Sequence, residues 1–169
     1  LVRYRDRFYC TFREGQGHVS PDGAIRVLTS PDGTGWRSAA RIGMATGDLR
    51  DPKLEVTPDG RLMLLAGRAL REGDETRHQS FVWFSENGED WTRPKAVADE
   101  DVWLWRVTWH DGTCYGVGYA TDGSEFTRLY RSTTGEDFDV LVPELFRKRR
   151  NGKGYPNEAV LLFRDDGTA

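Results

Sequence analysis

Cysteine and histidine are scarce, with two Cys and three His in 169 residues. That supply excludes a Cys/His metal cluster and a disulfide-stapled scaffold. Cys10 and Cys114 sit in apolar runs far apart in the chain; they read as buried free thiols, with a single disulfide as the alternative. Charge of one sign is lacking too. The net charge of −3 argues against bulk nucleic-acid binding, which goes with a strongly basic balance. No apolar run approaches the roughly 18 residues of a membrane span. Helical stretches are missing, because Gly, Pro and β-branched residues interrupt every candidate window. Nor is a targeting segment visible. The chain opens on Leu1-Val2-Arg3-Tyr4, already strand-like and without an initiator Met, so any signal peptide would lie upstream.

What is present is aromatic and repetitive. Six Trp, six Tyr and eight Phe suit a globular all-β protein and not a disordered chain. Three segments match one another: Ser30-Pro31-Asp32-Gly33-Thr34-Gly35-Trp36, Ser85-Glu86-Asn87-Gly88-Glu89-Asp90-Trp91 and Ser132-Thr133-Thr134-Gly135-Glu136-Asp137-Phe138. Each follows a strand-like run, at 25–28, 81–84 and 128–131. The shared pattern has a tight turn's chemistry. Asp or Asn folds onto the backbone ahead, Gly accepts positive φ, and the aromatic re-enters the sheet. A second motif runs in phase with the first. Asp6-Arg7, Asp59-Gly60, Asp111-Gly112 and Asp166-Gly167 each split two strand-like runs, at spacings of 53, 52 and 55 residues. Asp-Gly is a strong hairpin signal.

Together the two motifs define a repeated four-stranded unit. The predicted strands are 1–5, 8–13, 24–30 and 36–42, then 52–57, 61–67, 79–85 and 91–98, then 103–109, 113–119, 125–131 and 138–142, with 157–163 opening a fourth unit. Four antiparallel strands repeated radially make a β-propeller, here with blades at about 1–43, 51–98, 102–143 and 155–169. A β-sandwich with coincidental turns is the competing architecture. Three blades and the start of a fourth do not close a ring, since propellers typically have about four to eight. The remaining blades are expected from the rest of a longer chain or from another copy, because open edges would be sticky.

The Ser-x-Asp-Gly-x-x-Trp turn resembles the Asp box, or BNR repeat, of the sialidase (neuraminidase) superfamily, one residue shorter than the commonest form. The third copy departs further, with Thr134 for Asp and Phe138 for Trp. The resemblance implies a six-bladed propeller with these boxes on the face away from the active site. On the opposite face, Asp51-Pro52 resembles the Asp-Pro at the same strand start in bacterial sialidases. Tyr155-Pro156-Asn157-Glu158 looks like the segment whose glutamate polarises a tyrosine nucleophile. The loop from Glu14 to Gly23 corresponds to the one bearing the acid/base aspartate. Asp22 is its only Asp, and an ungapped count lands nearer His18. The family's first carboxylate-binding arginine would fall before Leu1, and the other two and the tyrosine after Ala169. The resemblance implies a hydrolase that removes a terminal acidic sugar such as sialic acid from a glycan, without cofactor or metal, in a periplasmic or secreted setting.

As chemistry alone, the same positions form a polar rim. Phe12-Arg13-Glu14-Gly15 ends a strand in adjacent charges, which alternation sends to opposite faces unless the strand stops there. Asp48-Leu49-Arg50-Asp51 brings three charges to the second unit, and Arg68 returns to the same rim. Trp103, Trp105 and Arg106 open the third unit, and Tyr119 ends its second strand. Arginine grips a carboxylate in two-pronged fashion, and aromatic faces cover apolar sugar surface. The expected catalytic residues are Glu158, Asp22 and Asp51. The expected substrate-binding residues are Arg13, Glu14, His18, Arg50, Arg68, Trp105 and Tyr119. Plainer readings stay open: Arg13 with Glu14 as a surface pair, Arg50 with Asp51 as a structural pair, Glu158 as a solvated strand start, His18 as a loop residue. Arg147-Lys148-Arg149-Arg150 reads as an exposed connection. Two other functions also stay open, a non-catalytic propeller that binds glycan or protein, and a propeller hydrolase of another clan that turns three carboxylates on neutral sugars.

Overall fold

The computed structural model describes all residues except 73, 74 and 153. They form three four-stranded antiparallel sheets, each built from consecutive strands. The first sheet holds β1 (Val2–Tyr4), β2 (Arg7–Glu14), β3 (Ala24–Ser30) and β4 (Arg37–Ile42). The second holds β5 (Asp48–Val56), β6 (Leu62–Glu72), β7 (Glu75–Ser85) and β8 (Lys95–Val97), and the third β9 (Val102–His110), β10 (Thr113–Ala120), β11 (Phe126–Ser132) and β12 (Asp139–Arg147). β5 touches both β1 and β9, so the first strands of the three sheets lie side by side as the inner strands of a radial stack.

The sheets pack face to face, and alternation along a strand decides which neighbour a side chain meets. In β6, Leu62, Leu64 and Ala66 join Tyr4, Tyr9, Ile25 and Val27 of the first sheet. Met63 and Leu65 join Val102, Leu104 and Val107 of the third. Both faces of the middle sheet are therefore covered, which is why residues 62–66 read as one unbroken apolar run. Each leucine so buried stabilises the fold by about 1.5–3 kcal/mol.

The three serine turns share one geometry. Gly33, Gly88 and Gly135 take φ of 82°, 76° and 75°. Each donates its amide to the Oγ of the serine three residues earlier, at 2.9, 2.8 and 2.9 Å. Asp32, Asn87 and Thr134 then accept the amides two and three residues on. Thr134 does with a hydroxyl what Asp32 does with a carboxylate, so the third copy keeps the turn despite its departure in sequence.

Several elements differ from the predicted ones. β6 and β7 run past residues 67 and 79 because Arg68 through Glu72 pair directly with Gln79 through Glu75. β8 is short, since Pro94 has no amide to give a ladder. β12 reaches Arg147, with register shifts around Leu129, and carries Pro143 as an outer strand can. A single helical turn, α1 (Lys148–Asn151), stands in the basic connection, ended by Gly152 at φ 73°; Lys and Arg are sound helix formers and glycine is the usual stop. Lys153 of that connection lies outside the described residues. Residues 157–163 form no ladder. They meet the third sheet through a bond from Thr108 Oγ1 to the Leu161 carbonyl at 2.8 Å and through Phe163 stacked 4.2 Å from His110, and a strand needs backbone pairing. Cys10 and Cys114 are free thiols on the first and third sheets. No helix among the described residues is long and apolar enough to cross a membrane.

Candidate functional site

One end of the sheets carries the turns. The other carries the end of β2, the starts of β5 and β9 and the ends of β6 and β10, and there Asp51 sits at a break in the ladder. Between the pairs Arg50–Gly67 and Lys53–Leu65, β5 has two residues where β6 has one, a bulge that re-aims side chains. Asp51 takes φ 51°, a left-handed conformation that Asp tolerates better than most. Beyond the bulge, Leu54 packs toward the first sheet, while Lys53 and Glu55 meet Trp105 and Arg106 of the third.

The result is a cluster drawn from four segments. The Lys53 amine lies 3.3 Å from the centre of the Trp105 ring and is buried with no hydrogen-bond partner. Trp105 in turn lies 6.3 Å from the Tyr119 ring. The Asp51 and Glu158 carboxylates both act on Lys53 and on Tyr119. Desolvation brings the Lys53 amine down to about 8, with Asp51 and Glu158 pulling the other way. Tyr119 is pushed up to about 12, first by burial and then by Glu158, Asp51 and Tyr155, so it stays a neutral hydroxyl. Glu158 is exposed and takes φ 39°. Left-handed backbone at both rim carboxylates is strain of the kind that gathers at functional sites. Deeper in the same gap, Glu55 stands 3.5 Å from Arg106, and burial raises its carboxyl above the ordinary range.

A second group surrounds Asp48, whose side chain is 4% exposed. Arg13 reaches its Oδ1 with Nε at 2.8 Å and Nη2 at 2.7 Å. The Ser20 amide donates to Oδ2 at 3.3 Å, and Arg50 Nε lies 3.8 Å from it. Gly23 makes the room, because a Cβ there would fall 1.7 Å from Asp48 Oδ1. Arg13 and Asp48 thus clamp the 15–23 loop to the start of β5. A cleft of about 540 Å³ opens beside them, lined in part by Val19, Pro21, Ala45, Ala69 and Leu70.

Four expected site residues are engaged in other ways. Arg50 Nη2 stands 3.2 Å from His18 Nε2; a guanidinium only donates, so Nε2 accepts and the neutral ring carries its proton on Nδ1. His18 Nε2 is therefore turned to Arg50. Asp22 accepts from the Ser20 hydroxyl and from the Gln16 amide at 3.2 Å. These bonds, the serine's first, hold its carboxyl below the ordinary range, the wrong direction for a proton donor at neutral pH. Glu14 points to the opposite face from Arg13, where Arg26 at 2.9 Å and Arg41 at 2.5 Å hold it. Arg68 lies 5.1 Å over the Phe81 ring and lines a separate hollow with Arg77, Gln79 and Glu100.

The fold thus brings together Asp51, Glu158, Trp105 and Tyr119, with Arg50 alongside. Sequence reasoning passes over Lys53, Glu55 and Tyr155. A signal for the first two exists, since polar residues alternate with Leu54 and Val56 on a strand whose neighbours are apolar. Among the described residues, no group of three or more His, Cys, Asp or Glu could hold a metal ion.

No protein-family model matches the sequence, and no curated protein matches it. Solved structures match its fold. A thermostable family-43 glycoside hydrolase aligns with a TM-score of 0.67 at 15% identity, over 99% of this chain and 61% of that one. The endo-arabinase of Bacteroides thetaiotaomicron aligns with 0.63 at 11%, over 86% and 60%. A family-32 β-fructofuranosidase of Bombyx mori aligns with 0.62 at 16%, over 83% and 33%. The chain spans 61% or less of the length of each of these proteins. They belong to five-bladed propeller families and not to the sialidases, so the expected six-bladed sialidase ring draws no support from them. The chain has the fold of propeller glycoside hydrolases, with three four-stranded sheets in the place of blades.

Proposed function

We propose that this chain carries part of the active-site rim of a propeller glycoside hydrolase acting on neutral sugars, with Asp51 and Glu158 as the reacting carboxylates. The observation that carries this reading is the convergence of two carboxylates from separate segments on one amine and one phenol, beside the Trp105 ring. Glycosidases set two carboxyl groups about the scissile bond, one of them donating a proton to the leaving oxygen. Trp105 offers an apolar face to a sugar ring, and Tyr119 offers a hydroxyl. Two of the proteins with this fold carry the names of enzymes for neutral sugars, an arabinase and a fructofuranosidase.

A sialidase acting on a terminal acidic sugar is the second reading. It requires guanidinium groups to grip a carboxylate; Arg13 is held by Asp48, Arg50 stands against His18 and Arg68 lies over Phe81, so that reading draws its arginines from outside residues 1–169. The test is hydrolysis of aryl arabinosides, a fructose oligosaccharide and an aryl sialoside, with Glu158→Gln and Asp51→Asn alongside. Turnover of a neutral glycoside is expected, falling about 100- to 10,000-fold in Glu158→Gln with an unchanged melting temperature. Turnover of the sialoside alone would replace this reading with the second. Glycan binding without any turnover would assign the rim to recognition.

A further inference from the structure

Lys53 has no role in the reaction just described, yet its amine is buried, stacked on Trp105 and without a hydrogen-bond partner. A buried ammonium is costly unless negative charge lies close by. Three charged groups act on it. Asp51 from its own strand and Glu158 from the segment after α1 favour the cation, and Arg106 from β9 opposes it. Tyr119 from β10 faces the same two carboxylates as a neutral hydroxyl. The Trp105 ring adds a cation–π contact. Lys53 is thus the positive charge that both carboxylates act on.

We propose that Lys53 is a positioning residue of this rim, the shared counter-ion that holds the Asp51 and Glu158 carboxylates across the gap between β5 and residues 155–163. The proposal rests on the reading of those two carboxylates as the reacting pair, but its test does not need turnover. The sequence has four lysines, Lys53, Lys95, Lys148 and Lys153, so their side-chain amines can be followed singly in ¹H–¹⁵N spectra. The Lys53 signal is identified by its loss in Lys53→Arg. In the wild type it titrates near pH 8, below Lys95, whose proton affinity Asp137 and then Glu136 raise. Asp51→Asn and Glu158→Gln each lower the Lys53 midpoint by roughly one pH unit, and Arg106→Gln raises it. A midpoint that stays put in the carboxylate variants overturns the proposal, whatever the catalytic result. Residue 158 lies on an exposed stretch, so Glu158→Gln decides the matter even if Asp51→Asn fails to fold. With turnover in hand, Lys53→Met shifts the acid limb of the pH–rate profile upward and Lys53→Arg shifts the alkaline limb upward. A uniform fall in rate at every pH, with no movement of either limb, would make the lysine merely structural.

Discussion

At the turn end of the three sheets, Ser30, Ser85 and Ser132 hold the glycine three residues on, and the residue between does the same work in each copy. At the rim end no two sheets agree. The first presents an arginine under a loop, the second a bulge with Asp51 and Lys53, the third Trp105 and Tyr119. The turns are closed by bonds two or three residues long, whereas Arg13 meets Asp48 across 35 positions and Arg50 meets His18 across 32. Repetition therefore follows locality. A turn that satisfies its own donors can be copied from sheet to sheet. A site met by several sheets at once must draw something different from each.

The sharpest test of that contrast is Asp48→Ala. It leaves Arg13 and Arg50 facing a buried gap and should cost about 3–5 kcal/mol in urea unfolding; a loss under about 1 kcal/mol would make the rim clamp a surface feature. Next comes a pair of glycines at the turn end. In Gly88→Ala the new Cβ, at φ 76°, would fall 2.2 Å from Tyr9 Cε1, for a loss of roughly 2–4 kcal/mol. In Gly60→Ala it would meet nothing within 4 Å, leaving only backbone strain of about 1 kcal/mol. Equal losses would mean that packing between sheets adds nothing to the turns.

Smaller still are the serines. Ser85→Ala and Ser132→Ala each strip a buried glycine amide of its acceptor and should cost about 1–3 kcal/mol apiece. Unequal values would show that the turns are alike in shape but not in energy. The smallest effect belongs to Glu14, held below its ordinary 4.5 by Arg26 first and Arg41 next. A carboxyl depressed in the fold stabilises it above its unfolded value and loses that contribution as pH falls through the folded one. The stability gap between wild type and Glu14→Gln should be full at neutral pH and close as the medium is acidified below 4.5. A gap that widened in acid would reverse the assignment.

The strands around Asp59-Gly60 and Asp111-Gly112 are legible in the sequence because a hairpin turn depends on φ preferences of adjacent residues. The extension of β6 and β7 is not, since charged side chains on both arms, from Arg68 to Glu72 and from Glu75 to Gln79, mask the ladder that joins them. Among candidate site residues, Asp51, Trp105 and Tyr119 follow from predicted strand ends, whereas Glu158 is singled out only by the resemblance of its segment, which forms no ladder. Lys53 follows from neither, because the bulge at Asp51 resets which face the following residues take. Asp22 and His18 look available in sequence, where nothing reveals that Ser20 and Arg50 already occupy them.

By itself, then, the sequence determined the turns and, through their regular spacing, the repeat of a four-stranded unit, since the turns rest on backbone preferences and on bonds reaching no more than three residues. Only the tertiary structure decided which charges stand partnered and which amine is left bare. Coulomb attraction and desolvation depend on distance in space and on burial, and the carboxylates that act on Lys53 come from a bulge in its own strand and from a segment more than one hundred positions away.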